Sequence, residues 1–187
     1  KGISFGGVNQ FEAQFARLLV ERFPALEKVR FTNSGTEANI MALATARVVT
    51  GRDKILVMQG AYHGNCIYAS PAAARVNAPY DFVYGEFNDL AKTEQAVKDC
   101  GGGLSAILVE CMIVGGGCVP ADKEFLQGLR DLADRTGAVL IFDEVMTSRF
   151  GPAGAQGEYG ITPDMMSCGK YLGGGGSFGA FGGRADL

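Results

Sequence analysis

Residues 141–176 read IFDEVMTSRFGPAGAQGEYGITPDMMSCGKYLGGGG, and two of them, Asp143 and Lys170, organise the reading of the whole chain. Asp143 closes the apolar run Ala138-Val139-Leu140-Ile141-Phe142. A run this short and this rich in branched side chains predicts a buried strand, which places the acid at its carboxyl end. In open α/β sheets ligands bind beyond those ends. Lys170 follows a second short run, Met165-Met166-Ser167-Cys168, and comes shortly before the glycines at 173–176. Its amine is therefore expected on a turn beside the same crevice, an amine nucleophile facing an acid.

Outward from this pair, strand and helix signals alternate. Asp122–Thr136 is a helical segment ended by Gly137, and Ser105–Glu110 is another apolar run with an acid, Glu110, at its carboxyl end. Asn88–Cys100 has a capping Asn or Asp and a charged face, which predicts a surface helix ended by the glycines at 101–103. Phe82–Tyr84 and Lys54–Met58 are strand candidates, while the stretch from about Cys66 to Ala78 has no clear period. Further back, Ala38–Thr50 predicts a helix closed by Gly51, preceded by the small polar turn Asn33–Glu37 and a short strand at Lys28–Phe31. Residues 9–23 set Phe11, Phe15, Leu18, Leu19 and Phe23 at helical spacing before Pro24, the pattern of an amphipathic helix. The alternation predicts an α/β fold, a mainly parallel sheet sandwiched by helices in three αβα layers, with right-handed crossovers.

Composition narrows the function classes. At 187 residues and 47% hydrophobic content the chain can bury one sizeable core, and a single domain is expected. A net charge of -3 without a Lys/Arg cluster argues against nucleic acid or an anionic membrane as partner. No apolar run approaches the roughly 20 residues of a membrane span, and the KGISFGG start has no signal-peptide pattern. Five cysteines without CxxC spacing, and one histidine, give neither a disulfide framework nor a metal site; they fit a reduced, cytoplasmic compartment. The 28 glycines cluster without a period, as turns and close backbone approaches do. The chain begins without an initiator methionine and stops just after an apparent strand, the pattern of a segment of something longer.

Each candidate residue also has a bland reading. Ser34-Gly35-Thr36, opening a helix, is an anion site if free N–H groups and the helix dipole converge there, and otherwise an ordinary N-cap. Lys170 alone reads as a solvated lysine. Glu110 is either a counterpart of Asp143 or an acid that orients a neighbour. His63, the only histidine, reads as a structural hydrogen-bonding group and stands outside the catalytic set. Taken together, however, Lys170, Asp143 and the turn supply what pyridoxal 5'-phosphate (PLP) requires: an amine, a carboxylate for the pyridine nitrogen and a phosphate cradle. Tyr62, on a loop after a strand, is placed to stack on a ring. The absence of a GxGxxG motif after a strand disfavours a nicotinamide-dependent oxidoreductase.

The segments NSGTEAN (33–39), AYHG (61–64), ILVEC (107–111), FDEVMTS (142–148) and CGKYLGGG (168–175), in this order and spacing, resemble the class III aminotransferases of PLP fold type I. Within that family the resemblance is closest to glutamate-1-semialdehyde 2,1-aminomutase and relatives acting on β-amino acids. It implies that Lys170 is the Schiff-base lysine and Asp143 the partner of the pyridine nitrogen. It further implies that Gly35 and Thr36 take the phosphate, that Val145 packs on the ring face opposite Tyr62, and that His63 and Glu110 belong to the cofactor site. The chain then corresponds, over 1–187, to the PLP-binding large domain without the family's N-terminal arm and C-terminal small domain. A homodimer with its active site at the interface, and a small-molecule amino donor and acceptor, are also implied. Two departures stand out: Cys111 where the family usually has proline, and Gly115 near a position where the aminomutases carry asparagine. The competing expectation is a catalytically incomplete large-domain remnant acting as a scaffold or PLP-binding module.

Overall fold

In the computed structural model, residues 9–187 are described; the KGISFGG start lies outside them. Strands whose residues are all buried need cover on both faces. Four strands of this kind, β4 (Leu104–Glu110), β7 (Val139–Asp143), β8 (Met165–Gly169) and β9 (Gly179–Gly183), lie side by side in the order β9-β8-β7-β4. The sheet is completed by β2 (Lys54–Met58) and β3 (Asp81–Gly85) beyond β4, and by β1 (Lys28–Thr32) outside β9. Strands β3, β2, β4, β7 and β8 pair in parallel, whereas β9 runs antiparallel to both β8 and β1. The expected α/β fold with a mainly parallel sheet is thus observed, with β9 as the one reversed strand of the seven.

The helices begin and end where side-chain chemistry allows. In α1 (Gln10–Arg22) the Asn9 side chain accepts from the Phe11 and Glu12 N–H groups, satisfying donors that the first turn leaves free. Helix α2 starts at Gly35 and runs to Thr50, three residues earlier than its apolar pattern suggests, because Ser34 caps it by accepting from the Glu37 N–H. Left-handed glycines follow α2 and α4 (Lys123–Thr136): Gly51 at φ 64° and Gly137 at φ 67°. The remaining helices are α3 (Leu90–Asp99) and the short α5 (Gly154–Tyr159), and a two-residue hairpin pairs β5 (Met112–Ile113) with β6 (Val119–Pro120). The stretch without clear period, from Cys66, resolves into turns and one 3₁₀ turn, Pro71–Ala73.

Strand alternation separates the two faces. On one, Met166, Cys168 and Ala180 pack with Leu19, Phe23 and Leu26 beneath α1. On the other, Met165 and Phe181 join a large cluster with Ala42 and Leu43 of α2; the same cluster continues over the rest of the sheet, where Phe142, paired with Met166, and Leu126 of α4 are also buried. Each such fully buried aliphatic or aromatic side chain contributes about 1.5–3 kcal/mol over an exposed one. The α1 stripe is covered only in part: Leu19 and Phe23 are buried, but Phe11 and Leu18 are 59% and 61% exposed. The five cysteines are free, and among the described residues no helix is long and apolar enough to cross a membrane.

Candidate active site

Parallel pairing of β4, β7 and β8 brings three sequence positions to one edge. Glu110 pairs with Asp143, and Asp143 with Ser167, three residues before Lys170. Beyond these carboxyl ends lies a cavity of about 580 Å³. All nine residues singled out from the sequence line it: Ser34, Gly35 and Thr36 from the start of α2, Tyr62 and His63 from the loop after β2, then Glu110, Asp143, Val145 and Lys170.

Asp143, 5% exposed, is held from several directions. Its Oδ2 accepts from Asn39 Nδ2 at 2.8 Å and faces His63 Nδ1 at 2.9 Å, and its Oδ1 accepts from the Val145 N–H at 3.1 Å. Burial alone pushes this carboxyl up. The hydrogen bond and attraction of His63, the Val145 N–H and the Asn39 amide together outweigh that push and hold it below its ordinary value of 3.8. Asn39 is fixed in turn: its amide also donates to the His63 carbonyl at 2.9 Å, and its Oδ1 accepts from Ser167 Oγ at 2.6 Å. His63 Nε2 is buried without a partner among the described residues.

Glu110 behaves differently although it is Asp143's registered neighbour. Its Oε2 accepts from the Tyr62 N–H at 3.0 Å. Burial dominates here, and the Asp143 charge adds to it, so the Glu110 carboxyl is raised despite His63 and the Tyr62 N–H. Through this bond Glu110 holds the backbone of the Tyr62 loop. The Tyr62 ring lies 5.4 Å from that of Tyr68, and both hydroxyls donate to Asn65 Oδ1. Tyr62 remains 44% exposed on the cavity wall.

The start of α2 supplies free donors. The first bond from an α2 N–H to its own helix start is Ala38 N–H to Ser34 O, and the Glu37 N–H is taken by Ser34 Oγ. That leaves Gly35 and Thr36 N–H, at the positive end of a helix of 16 residues, facing the cavity. Close packing keeps them there. A Cβ on Gly35 would come within 2.6 Å of Val145 Cγ2, and one on Gly64, whose φ is +115°, within 2.1 Å of Thr36 Oγ1. The cap reading and the anion-site reading of this turn therefore coexist, through different N–H groups.

Lys170 has φ +50°, a left-handed conformation that costs a side-chain-bearing residue on the order of 1–3 kcal/mol. It follows directly from Gly169, which closes β8, and opens the 3₁₀ turn Lys170–Gly173. Among the described residues no hydrogen bond or ion pair engages its amine, which sits exposed at the cavity rim.

The profile of the family described as Aminotransferase class-III matches residues 3–187. This chain belongs to that family. Over 186 residues it is 47% identical to the beta-phenylalanine transaminase of Variovorax paradoxus, covering 100% of this chain and 43% of that protein. Over 201 residues it is 46% identical to the glutamate-1-semialdehyde 2,1-aminomutase of Chlorobium phaeovibrioides, covering 100% and 47%. The solved structure of a beta-phenylalanine aminotransferase from Variovorax paradoxus aligns with a TM-score of 0.91 at 48% identity, over 96% of this chain and 42% of that one. The chain spans less than half the length of these relatives. Class III aminotransferases are PLP-dependent enzymes.

Two residues that hold Asp143 in this site were given no role by sequence reasoning, Asn39 and Ser167. The signal for Ser167 is a lone hydroxyl in an otherwise apolar buried strand, where a polar group needs a partner. Asn39 lies five positions after the Ser34 cap, and its neighbours Ala38 and Ala42 point into the core, so it too is a polar group on a buried face.

Proposed function

We propose that these 187 residues form the cofactor-binding large domain of a PLP-dependent enzyme that moves an amino group on an amino acid or amino-aldehyde. The observation that carries the reading is the convergence, on one cavity, of an unpaired amine, a buried carboxylate held below its ordinary pKa, and free N–H groups at a helix start. These are the three groups that PLP needs. When bound, the cofactor supplies an electron sink for charge developing on the substrate carbon that bears the amine.

The chain's own residues do the rest. Lys170 Nζ would hold the cofactor and, as a free amine, would move the proton from that carbon to the carbon of the cofactor. Asp143 would keep a proton on the pyridine nitrogen, and His63, Asn39 and Ser167 keep Asp143 ionised and aimed. The Gly35 and Thr36 N–H groups take the phosphate, with the Ser34 and Thr36 hydroxyls beside them. Tyr62 and Val145 offer ring contacts, and Glu110 fixes the Tyr62 backbone. Near-equal identity to a transaminase and an aminomutase supports amino-group transfer as the shared chemistry. The segments MTSRFGPAGAQ and KYLGGGGSFGAFGG favour a β-amino acid as donor. A homodimer with a shared active site and a cytoplasmic setting complete the proposal.

Full-length protein purified with PLP and reduced with borohydride is expected to carry a phosphopyridoxyl group on Lys170, located by peptide mass spectrometry. Lys170→Ala is expected to take no label and to lose turnover to below detection. A wild-type protein that binds no PLP would sink the proposal in favour of a scaffold. A screen of β-amino acids against keto acids names the donor, and sedimentation gives the oligomeric state.

A further inference from the structure

Lys170 is held in a left-handed conformation that side-chain-bearing residues avoid, and such conformations persist only where the surroundings over-determine them. Upstream, the sheet does this: Gly169 pairs with Gly179 in the β8-β9 ladder. Downstream, the next residue, Tyr171, is half-buried and flanked by two guanidinium groups. Arg22, at the end of α1, donates from Nη2 to Tyr171 Oη at 3.0 Å, and Arg149 lies 4.8 Å from the centre of the tyrosine ring.

Arg22 does more than hold Tyr171. Its Nη2 also donates to the Ser148 carbonyl at 2.8 Å and its Nε to the Pro152 carbonyl at 2.9 Å. Both carbonyls belong to the segment that leaves β7 after Asp143. The far end of that segment is anchored by Glu144, which accepts from the Ala155 and Gln156 N–H groups at 2.6 and 3.2 Å. Among the described residues Arg22 has no carboxylate partner; its fork is spent on two carbonyls and one phenol oxygen. One guanidinium therefore ties the chain just beyond Asp143 to the chain just beyond Lys170. Lysine, with a single ammonium, does not reproduce that three-point fork.

Resting on the function proposed above, we infer that Arg22 and Tyr171 are positioning residues that fix the Lys170 amine relative to the Asp143 carboxylate. Arg22 acts from a helix outside the cavity, through Tyr171, and neither residue lines the cavity.

The test uses the full-length, PLP-loaded enzyme with Arg22→Ala, Arg22→Lys and Tyr171→Phe. Arg22→Ala is expected to keep a full complement of PLP yet lose on the order of 10–100-fold in kcat, the scale of a roughly 1 Å misplacement. KM for the β-amino acid donor should stay within about threefold, because the loss lies in alignment rather than binding. Arg22→Lys should recover melting temperature but not kcat. Tyr171→Phe, which deletes one oxygen, should lose severalfold in kcat. Two readouts are independent of turnover. The pH midpoint of the absorbance band of Lys170-bound cofactor should move by about 0.5 unit or more. Labelling of Lys170 in PLP-free enzyme by pyridoxal and borohydride should slow.

If borohydride tags Lys170 in the wild type but Arg22→Ala and Tyr171→Phe match it in kcat, pH midpoint and labelling rate, the positioning role is overturned and the proposed function stands. If the wild type takes no tag, the proposed function falls and takes the positioning role with it. Should Arg22→Ala fail to fold, Tyr171→Phe decides alone.

Discussion

At the amino end of β7, the Asp164 carboxylate accepts from the Leu140 N–H at 2.8 Å, from Arg130 at 2.9 Å and from Arg184 at 2.6 Å. At the carboxyl end of the same strand, Asp143 is just as buried but is held by an amide, an imidazole and a backbone N–H. Lys170, the cation on its cavity, forms no ion pair with it. One end of the strand spends its charges on each other and gains structure. The other keeps a carboxylate ionised through weakly charged donors and leaves the amine free, so both remain available to a third party. These two carboxylates, equally buried at opposite ends of one strand, thus differ in the donors that answer them.

The sharpest way to break this contrast is Asp143→Asn. Loss of the fixed negative charge is expected to lower kcat by at least roughly 10³-fold, the scale of removing a preorganised charge-stabilising group. A near-active variant would remove Asp143 from the role given to it. Asp164→Asn is the mirror experiment: two arginines lose their partner, and urea unfolding should show a loss of about 2–3 kcal/mol, less than for a fully buried pair because Arg184 is half exposed. Turnover per folded molecule should not change.

The pH dependence of stability sharpens the comparison further. Asp143, depressed below 3.8, contributes stability that is fully present above that value and is lost as pH falls through its lower folded value. Glu110, raised above 4.5 by burial, has the opposite sign: stability declines as pH rises from 4.5 through its folded value. Glu110→Gln keeps an acceptor for the Tyr62 N–H and should flatten that decline, leaving stability at pH 7 equal or higher by up to about 1 kcal/mol. Urea titrations across pH 3–8 measure both slopes. The smallest effect is expected from Gly115→Asn. Its φ lies outside the left-handed region, and a Cβ there would meet Tyr62 Cβ at an ordinary 3.9 Å, so stability should change by less than about 0.5 kcal/mol. A larger loss would show that the cavity wall beside Tyr62 is less open than its geometry indicates.

The central sheet was legible because β4, β7 and β8 are nearly unbroken apolar runs ended by acids or a glycine. Helix ends at Gly51 and Gly137 were legible because a left-handed residue is needed there. Less could be read where local pattern and tertiary context part. A strand was expected just before the last residues, but not its reversed direction or its packing: β9, GAFGG, has poor intrinsic strand propensity, yet every residue is buried, and its glycines let neighbours approach so closely that a Cβ on Gly179 would lie 2.1 Å from Ser34 O. The period of α1 gave its stripe but not how far the sheet edge reaches under it, so Phe11 and Leu18 stay exposed. At the site, the charged and aromatic members could be chosen from the sequence because their chemistry is conspicuous. Asn39 and Ser167 are conspicuous only once Asp143 is seen between them.

The pairing of β1 with β9 has a consequence for how the protein is made. Lys28 meets Gly183 and Thr32 meets Gly179, so β1 has no sheet partner until about 150 further residues have been synthesised. At the usual ~5–20 residues per second of translation, that is roughly 7–30 s. Throughout this interval Val29 and Phe31, destined for the cluster under α1, have no sheet to join. While these residues are being made the nascent chain therefore carries an unpaired strand with one apolar face, Val29 and Phe31, an aggregation hazard that ends only when the glycine-rich β9 arrives.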